Sequence, residues 1–136
     1  MERSDDKPLL PIELDAVVLE CRDVAALSRF YIELLGWKKH HGDGEEWEEV
    51  APPFGGTNIA FQRNDDYIPP VWPDEPNSQQ QMILLDFMVR DQSQLQLAVQ
   101  HAISCGATKA IIQYDPTHWI TMFDPAGHPF CFVLLH

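Results

Sequence analysis

One carboxylate interrupts an otherwise apolar segment of the sequence. Asp86 lies within the run from Met82 to Val89, MILLDFMV, and all the remaining residues of this run are apolar. Burying a carboxylate in such a strand without a partner costs several kcal/mol, so Asp86 must meet water, a hydrogen-bond donor or a positive charge. Two interpretations are open. Asp86 is a charge anchor or general base inside a binding site, assisted by Glu20, or it pairs with a side chain of a neighbouring strand or with Arg22, Arg63 or Arg90.

The cysteines and histidines do not show the spacing of a disulfide framework or a metal motif. The three cysteines, Cys21, Cys105 and Cys131, are odd in number, lack CxxC spacing and lie in or beside apolar stretches, as buried free thiols do. The histidines show neither i,i+4 nor His-x-His spacing. His40 and His41 are adjacent and would point to opposite faces of a strand. We therefore expect free thiols and no metal or other cofactor.

An internal repeat supplies the elements that would position these side chains. Residues 14–36 and 82–106 each contain an apolar strand, then Arg-Asp, then a helical pattern of apolar residues that stops at glycine. The aspartate can cap the start of each helix, and the glycine suits the left-handed conformation that ends it. These residues are Asp23 and Gly36 in the first copy and Asp91 and Gly106 in the second.

The sequence after each helix repeats as well. Trp47 and Trp119 begin equivalent stretches that continue through proline and glycine into a final strand. The chain is therefore predicted to hold two modules, about 11–63 and 82–136, within a single domain that spans 1–136. Each module is of strand-helix-strand-strand-strand type, which makes the fold class α+β.

The segment between the modules is predicted to be an extended surface linker. Residues 64–81 contain four prolines, and proline disfavours helix and removes donors from a sheet. Two aromatic residues in it, Tyr67 and Trp72, have two possible roles. They fold over the mouth of a pocket as a lid, or they anchor the linker against a sheet.

A strong negative charge limits the partners of the protein. Nine Lys and Arg against 21 Asp and Glu give a formal charge of −12 over 136 residues. Such a surface repels nucleic-acid phosphates and anionic lipids, so we expect neither as a partner, whereas a cationic or neutral small molecule is compatible. Residues 1–7 lack the apolar segment of a secretory signal, and the longest apolar run, 130–135, is too short to cross a bilayer. We expect a cytoplasmic protein.

The duplicated βαβββ pattern and two motifs resemble the vicinal oxygen chelate superfamily. The motifs are FYIELLGW, which closes the first helix, and MFDPAGHPFCFV, which closes the chain. The superfamily includes glyoxalase I, extradiol dioxygenases and the fosfomycin- and bleomycin-resistance proteins, and the chain looks most like its glyoxalase-like domains. The resemblance implies the glyoxalase/bleomycin resistance/dihydroxybiphenyl dioxygenase fold, in which tandem βαβββ modules form curved mixed sheets around a cleft. It also implies modules that pair within one chain or across a homodimer, and we expect a homodimer.

The same resemblance indicates where a metal would bind. Catalytic members hold a divalent ion with one side chain from each of four strands, typically His or Gln, Glu, His and Glu. The family spacing places these positions at Ala16, Leu84, Cys131 and, within about a residue, Gln62. Only Gln62 carries a possible ligand of the usual type. We therefore expect the metal centre to be lost, which disfavours metal-dependent glyoxalase or dioxygenase activity.

Strand alternation divides the residues between the cleft and the helices. If Ala16 and Leu84 face the cleft, then Val18, Glu20, Asp86 and Met88 do so too. Cys131 faces it from the last strand as the thiol most exposed to ligand. The two tryptophans are either stacking walls for a planar ligand or core residues. The candidate ligand-binding residues are Val18, Glu20, Trp47, Gln62, Asp86, Met88, Trp119 and Cys131.

Three functions fit these observations. The first is a metal-free binder of a cationic or neutral aromatic small molecule, similar to antibiotic-sequestering resistance proteins. The second is a metal-independent lyase- or isomerase-type enzyme that uses Asp86 as its acid or base. The third is a non-catalytic interaction or regulatory domain whose cleft is filled by side chains. A cavity of ligand size separates the first two functions from the third.

Overall fold

The computed structural model describes residues 10–135, which form two helices and eight strands. The first module contains β1 (Ala16–Cys21), α1 (Val24–Leu35), β2 (Lys38–Gly42), β3 (Trp47–Ala51) and β4 (Asn58–Arg63). The second contains β5 (Leu85–Val89), α2 (Gln92–Cys105), β6 (Thr108–Lys109), β7 (Trp119–Phe123) and β8 (Pro129–Leu134). The predicted polar N-terminus, residues 1–7, lies outside the described residues.

Each module forms its own four-stranded mixed sheet. The strand orders are β1-β4-β3-β2 and β5-β8-β7-β6, with a parallel first pair and antiparallel pairs after it. The duplicated α+β architecture predicted from the sequence is confirmed. Within residues 10–135, no strand of one sheet pairs with a strand of the other, so the sheets stay open.

The helix boundaries follow from the capping residues. The side chain of Asp23 accepts a hydrogen bond from the amide of Ala26 at 3.0 Å, and that of Asp91 accepts one from Gln94 at 2.9 Å. Gly36 ends α1 in the left-handed conformation, with φ of 70°. Capping satisfies amides that a helix cannot pair internally, so both predicted helices begin where the sequence places them. Among the residues that the structure describes, neither helix is long and apolar enough to cross a membrane.

One hydrophobic core joins the two modules. Tyr31 of α1 is fully buried, and its ring stacks on Phe61 of the first sheet with centroids 5.6 Å apart. The same ring meets Phe130 of the second sheet edge-on at 6.5 Å. The Tyr31 hydroxyl donates to the carboxylate of Asp124, at 2.8 Å, in the turn before β8. The modules are therefore held together mainly by side chains on their helix-facing sides.

The linker packs against the second module without forming a strand or helix of its own. Trp72 lies edge-on to Tyr114 and Phe123, with ring centroids 5.6 and 5.9 Å away. Tyr67 donates its hydroxyl proton to the carbonyl of Ala126 at 2.8 Å. Trp72 thus serves as an anchor, which is one of the two roles that the sequence left open.

Candidate functional site

Each sheet has one face covered by helices and one face that they leave uncovered, which we call the open face. In β1 the helix-facing residues Leu19 and Cys21 are at most 2% exposed, whereas Val18 is 42% exposed and Glu20 is also exposed. In β5, Met88 is 60% exposed. The alternation predicted for β1 and β5 is therefore present, and the open faces are where a ligand can approach.

Strand register brings four of the predicted residues together on the open face of the first sheet. Glu20 lies opposite Gln62, and Gln62 lies opposite Trp47, which makes one row across three strands. Val18 belongs to the adjacent row. In that row it lies opposite Ala60, and Ala60 lies opposite Glu49.

The other four predicted residues lie on the second sheet, where Asp86, Met88 and Trp119 occupy the positions equivalent to Val18, Glu20 and Trp47. Met88 lies opposite Val133, which lies opposite Trp119. Asp86 lies opposite Cys131 in the adjacent row. The predicted set is therefore divided between two open faces. The cavity described below is lined by Val18 and Glu20 but by none of the four residues on the second sheet.

Cys131 is not the exposed thiol that alternation suggested. It is only 4% exposed, and Cys105 is the least buried of the three thiols. Burial raises the pKa of Cys131, even though its sulfur lies 3.3 Å from the hydroxyl of Thr121. Alternation along a strand predicts the face of the sheet on which a side chain lies. It does not predict how much of that side chain the neighbouring residues cover. A protonated, buried thiol is a poor nucleophile.

Asp86 is exposed on the open face of the second sheet. Its carboxylate forms no hydrogen bond or ion pair with another residue of the range 10–135, so pairing with an arginine, one of the interpretations left open, is not observed there. Because water reaches it, the carboxylate escapes the burial cost that made this residue conspicuous in the sequence.

The strand register shows which residues of the two sheets are equivalent. Asp86 and Val18 both lie five residues before a helix-capping aspartate, and their partners are Cys131 and Ala60. The equivalent of Cys131 is thus Ala60, two residues before Gln62. If the resemblance holds, the four metal positions would then fall on Ala16, Ala60, Leu84 and Cys131, of which only Cys131 has a side-chain donor atom. Across residues 10–135, no group of three or more His, Cys, Asp or Glu side chains is arranged to hold a metal ion.

A cavity of about 450 Å³ lies between the end of β1 and the linker. This volume is in the usual range of small-molecule sites. Its walls combine apolar groups, carboxylates, amides and aromatic rings. The lining residues are Val18, Leu19, Glu20, Asn64, Asp66, Tyr67, Ile68, Pro70, Gln79, Gln80, Met82, Ile83 and His128.

The charged groups of this cavity are carboxylates. Glu20 and Asp66 line it, and no lysine or arginine does. Glu20 Oε1 accepts only a long hydrogen bond from the Asn64 amide, at 3.4 Å, so most of its hydrogen-bonding capacity is available. His128 Nε2 lies 2.7 Å from the carbonyl of Glu20, which must be the acceptor, so the ring proton sits on Nε2. The cavity therefore favours a positive charge.

Tyr67 and Ile68 separate this cavity from a second one of about 370 Å³, beside the start of α1. Besides its bond to Ala126, Tyr67 accepts a hydrogen bond at its carbonyl from Arg22 Nε, at 3.1 Å. Burial raises the pKa of the Tyr67 phenol, which stays protonated at neutral pH. Tyr67 is thus part of the wall between the two cavities.

A polar cluster on the first open face was missed by the sequence analysis. Glu49 is only 5% exposed, and its carboxylate accepts from Asn58 Nδ2 at 3.0 Å and from Trp47 Nε1 at 3.3 Å. The Nε2 atom of His41 lies 3.4 Å from the same carboxylate. The Asn58 amide, then Trp47 and His41, outweigh burial and hold the pKa of Glu49 below its ordinary value. The signal in the sequence was Glu48-Glu49 itself, since two adjacent glutamates in a strand must point to opposite faces.

Comparisons with known proteins agree on the fold. The model of a family described as "Glyoxalase-like domain" matches residues 16–133. A glyoxalase/bleomycin resistance protein/dioxygenase family enzyme from Burkholderia phytofirmans PsJN has a TM-score of 0.69 at 19% identity, over 92% of this chain and 100% of its own. The bleomycin-binding protein of Streptomyces verticillus has a TM-score of 0.60 at 17% identity, over 94% and 100%.

A third similar structure is the lactoylglutathione lyase of Agrobacterium tumefaciens, with a TM-score of 0.61 at 11% identity, over 91% of this chain and 94% of its own. At these identities the structures establish the fold and not the activity. The sequence has no match among curated proteins.

Proposed function

The chain belongs to the glyoxalase-like domain family, and from this premise we propose that it binds a small cationic molecule in the cavity between β1 and the linker. The observation that carries the proposal is the composition of the cavity wall. Two carboxylates, Glu20 and Asp66, lie among apolar and amide groups, with no lysine or arginine among the lining residues. A cation with an apolar body can place its charge at the carboxylates and its body against Val18 and Met82.

The same proposal excludes an anionic ligand. The whole chain carries a formal charge of −12, which already counts Glu20 and Asp66, so the field of the whole protein also opposes the approach of an anion. An anion that entered would have to lose water without gaining a positive partner, which is unfavourable.

We further propose that this function does not use the metal of the superfamily. Ala16, Ala60 and Leu84 have no donor atom at three of the four family positions. A lone thiol at Cys131, buried and protonated, does not suit a site that needs carboxylate and imidazole ligands.

The two other functions have less support. Asp86 as an acid or base would act at an exposed position on the second sheet, away from the cavity that contains Glu20. An interaction domain with a filled cleft does not need a cavity of this volume.

Binding of benzyltrimethylammonium and of benzoate, measured by isothermal titration calorimetry, tests the proposal. The two probes share a phenyl ring and differ in the sign of their charge. We expect the cation to bind at least about tenfold more tightly than the anion, and Glu20→Gln to remove most of that difference. Glu33→Gln on the exposed side of α1 removes the same charge away from the cavity and should leave binding unchanged. Equal binding of the two probes, or an equal effect of the two substitutions, would overturn the proposal.

A further inference from the structure

The second cavity, of about 370 Å³ beside the start of α1, has a largely apolar wall and takes no part in the proposed cation binding. Cys21 and Leu27, which line it from the core, are each 1% exposed, whereas Ile68 of the linker is 62% exposed. Further apolar lining comes from Pro69 and Pro125. A molecule that filled this cavity would cover the exposed part of Ile68 and gain the hydrophobic free energy of that surface.

The polar groups in the wall of the second cavity bond to one another. Arg22 Nε donates to the carbonyl of Tyr67 at 3.1 Å, and the Tyr67 hydroxyl donates to the carbonyl of Ala126 at 2.8 Å. The carboxylate of Asp23 accepts from the amide of Ala26 at 3.0 Å. An apolar molecule can therefore enter without depriving these groups of their partners, which would otherwise cost free energy.

The two cavities differ in charge, although Tyr67 and Ile68 line both of them. The wall of the second cavity contains one cation and one anion, Arg22 and Asp23, which are adjacent in the chain and opposite in sign. Burial and nearby carboxylates raise the pKa of Cys21 to about 11, so its thiol is neutral at physiological pH. The second cavity therefore offers no net charge, in contrast to the two carboxylates of the first.

The start of α1 does not make the second cavity a site for an anion. Free amides at the beginning of a helix attract negative charge. Here the carboxylate of Asp23 already accepts from the first turn, so it supplies the negative charge itself. The formal charge of −12 on the chain also opposes an anion. A neutral molecule meets none of these obstacles.

We propose that the second cavity is a binding site for a neutral, largely apolar small molecule. Its volume lies in the range of small-molecule sites, and its wall has the apolar character typical of them. This site goes beyond the proposed function, because it lies in a different cavity and selects a ligand without charge. The protein would thus hold a cation and a neutral molecule on opposite sides of Tyr67 and Ile68.

Titration with acetophenone and with benzoate, followed in ¹⁵N–¹H correlation spectra, tests this site. The two probes have nearly the same shape, but only benzoate is charged. We expect acetophenone to shift the amide signals of Ala26, Leu27 and Ala126 and to bind at least about fivefold more tightly than benzoate. If acetophenone caused no saturable shift at these amides, or if benzoate bound as tightly, the proposal would be overturned.

Two neighbouring alanines in the first turn of α1 provide a matched pair of variants. Ala26 is half-buried and lines the second cavity, whereas Ala25 is exposed. Leucine has nearly the helix propensity of alanine, so neither substitution should disturb the helix itself. Ala26→Leu fills part of the cavity and should weaken acetophenone binding at least about fivefold, and Ala25→Leu should leave it unchanged. Equal effects of the two substitutions would contradict the proposal.

The two binding proposals fail independently. Glu20→Gln should weaken benzyltrimethylammonium binding and leave acetophenone binding unchanged, whereas Ala26→Leu should do the reverse. Acetophenone that shifted only the amides of Val18 and Gln80 would lie in the first cavity, and the second site would be overturned. If Ala26→Leu unfolds, which far-ultraviolet circular dichroism will show, the pattern of shifts in the wild type still decides the question.

Discussion

The acidic residues of the open faces differ in their surroundings, and this decides their chemistry. Asp86 attracted attention because it interrupts an apolar strand, yet it is exposed and meets solvent. Glu49, in β3, was not singled out from the sequence, yet it is 5% exposed and accepts from two donors. Sequence identifies the type of a side chain, but only its neighbours in space determine whether it is solvated or positioned for reaction.

Metal content is the first prediction at this scale. Purified protein incubated with Zn²⁺, Ni²⁺, Fe²⁺ or Mn²⁺ and then desalted should contain no stoichiometric ion, because Ala16, Ala60 and Leu84 provide no ligand. Inductively coupled plasma mass spectrometry measures this. One ion per chain that is lost in Cys131→Ala would show that the assignment of the family positions is wrong.

Acid sensitivity is the second prediction and concerns Glu49. The hydrogen bonds from Asn58 and Trp47, with the charge of His41, hold its pKa in the folded protein below the ordinary value of 4.5. A lowered pKa means that the folded state binds the proton less readily than the unfolded state. The stabilisation is therefore complete above about pH 4.5 and is lost as the pH falls through the folded pKa.

Urea unfolding of the wild type and of Glu49→Gln at neutral pH and at successively lower pH measures this stabilisation. The variant should be less stable at neutral pH, and the difference between the two proteins should shrink as the medium becomes more acidic. Glu33→Gln provides the control for removing an exposed carboxylate. A difference that stays constant with pH would contradict the prediction.

At the scale of elements, helices were predicted better than strands. The caps at Asp23 and Asp91 and the glycine ends are local signals, and a helix uses only local hydrogen bonds. The bulge in β2 depends on the partner strand and has no sequence signature in KKHHG. The equivalence of Ala60, rather than Gln62, with Cys131 could not be predicted for the same reason, since the register of β4 against β1 decides it.

The contact between the linker and the turn before β8 gives the third prediction. Gly127 has φ of +87°, and a Cβ atom there would lie 2.9 Å from Cβ of Pro69. Gly36 has φ of +70° and open space around it. Gly36→Ala should therefore lose only the cost of the left-handed conformation, about 1–2 kcal/mol. Gly127→Ala should lose more, by about 1 kcal/mol or above, because Pro69 must also move.

Chemical denaturation of both glycine variants measures this difference. Equal losses of unfolding free energy would contradict the prediction, because they would mean that Pro69 of the linker does not obstruct a Cβ atom at position 127.

At the scale of the whole molecule, the helix-facing sides of both modules form one core, and the open faces point away from it. Tyr31 connects the modules twice, through its ring to Phe61 and Phe130 and through its hydroxyl to Asp124. Burial raises the pKa of the Asp124 carboxyl, while the electrostatic effect of His128, the Tyr31 hydroxyl and the backbone amides of His128 and Ala126 act in the opposite direction. These donors replace the water that Asp124 loses on folding.

Tyr31→Phe is the fourth prediction. It removes one of those donors from a buried carboxylate and should lower the unfolding free energy by about 1–3 kcal/mol. Tyr114→Phe is the matched control, because Tyr114 is 65% exposed, and it should change stability by less than about 0.5 kcal/mol. Thermal unfolding followed by circular dichroism compares the two. A loss of equal size in both variants would argue against the role of the Tyr31 hydroxyl in joining the modules.

The fifth prediction is a homodimer. Large apolar side chains are exposed on or beside the open faces, with Val18 and Leu84 at 42%, Met88 at 60% and Met82 at 81%. A second copy that covered them would gain the hydrophobic free energy of that surface. Light scattering at micromolar concentration should give twice the mass of the chain, and Met88→Glu should reduce it to the monomer. Leu97→Glu, at a 61% exposed position on α2, should not. A monomeric wild type would contradict the prediction.

The sequence by itself determined the duplicated α+β architecture, the helix boundaries and the direction of alternate side chains in β1 and β5. These properties follow from local backbone chemistry and from hydrophobic periodicity, both of which are written along the chain. Only the tertiary structure decided that Cys131 is covered, that Asp86 meets solvent and that Ala60 rather than Gln62 matches Cys131. It alone brought His41 to Glu49 and closed a cavity between Glu20 and the linker. Strand register and side-chain cover depend on residues far apart in sequence, so no local pattern specifies them.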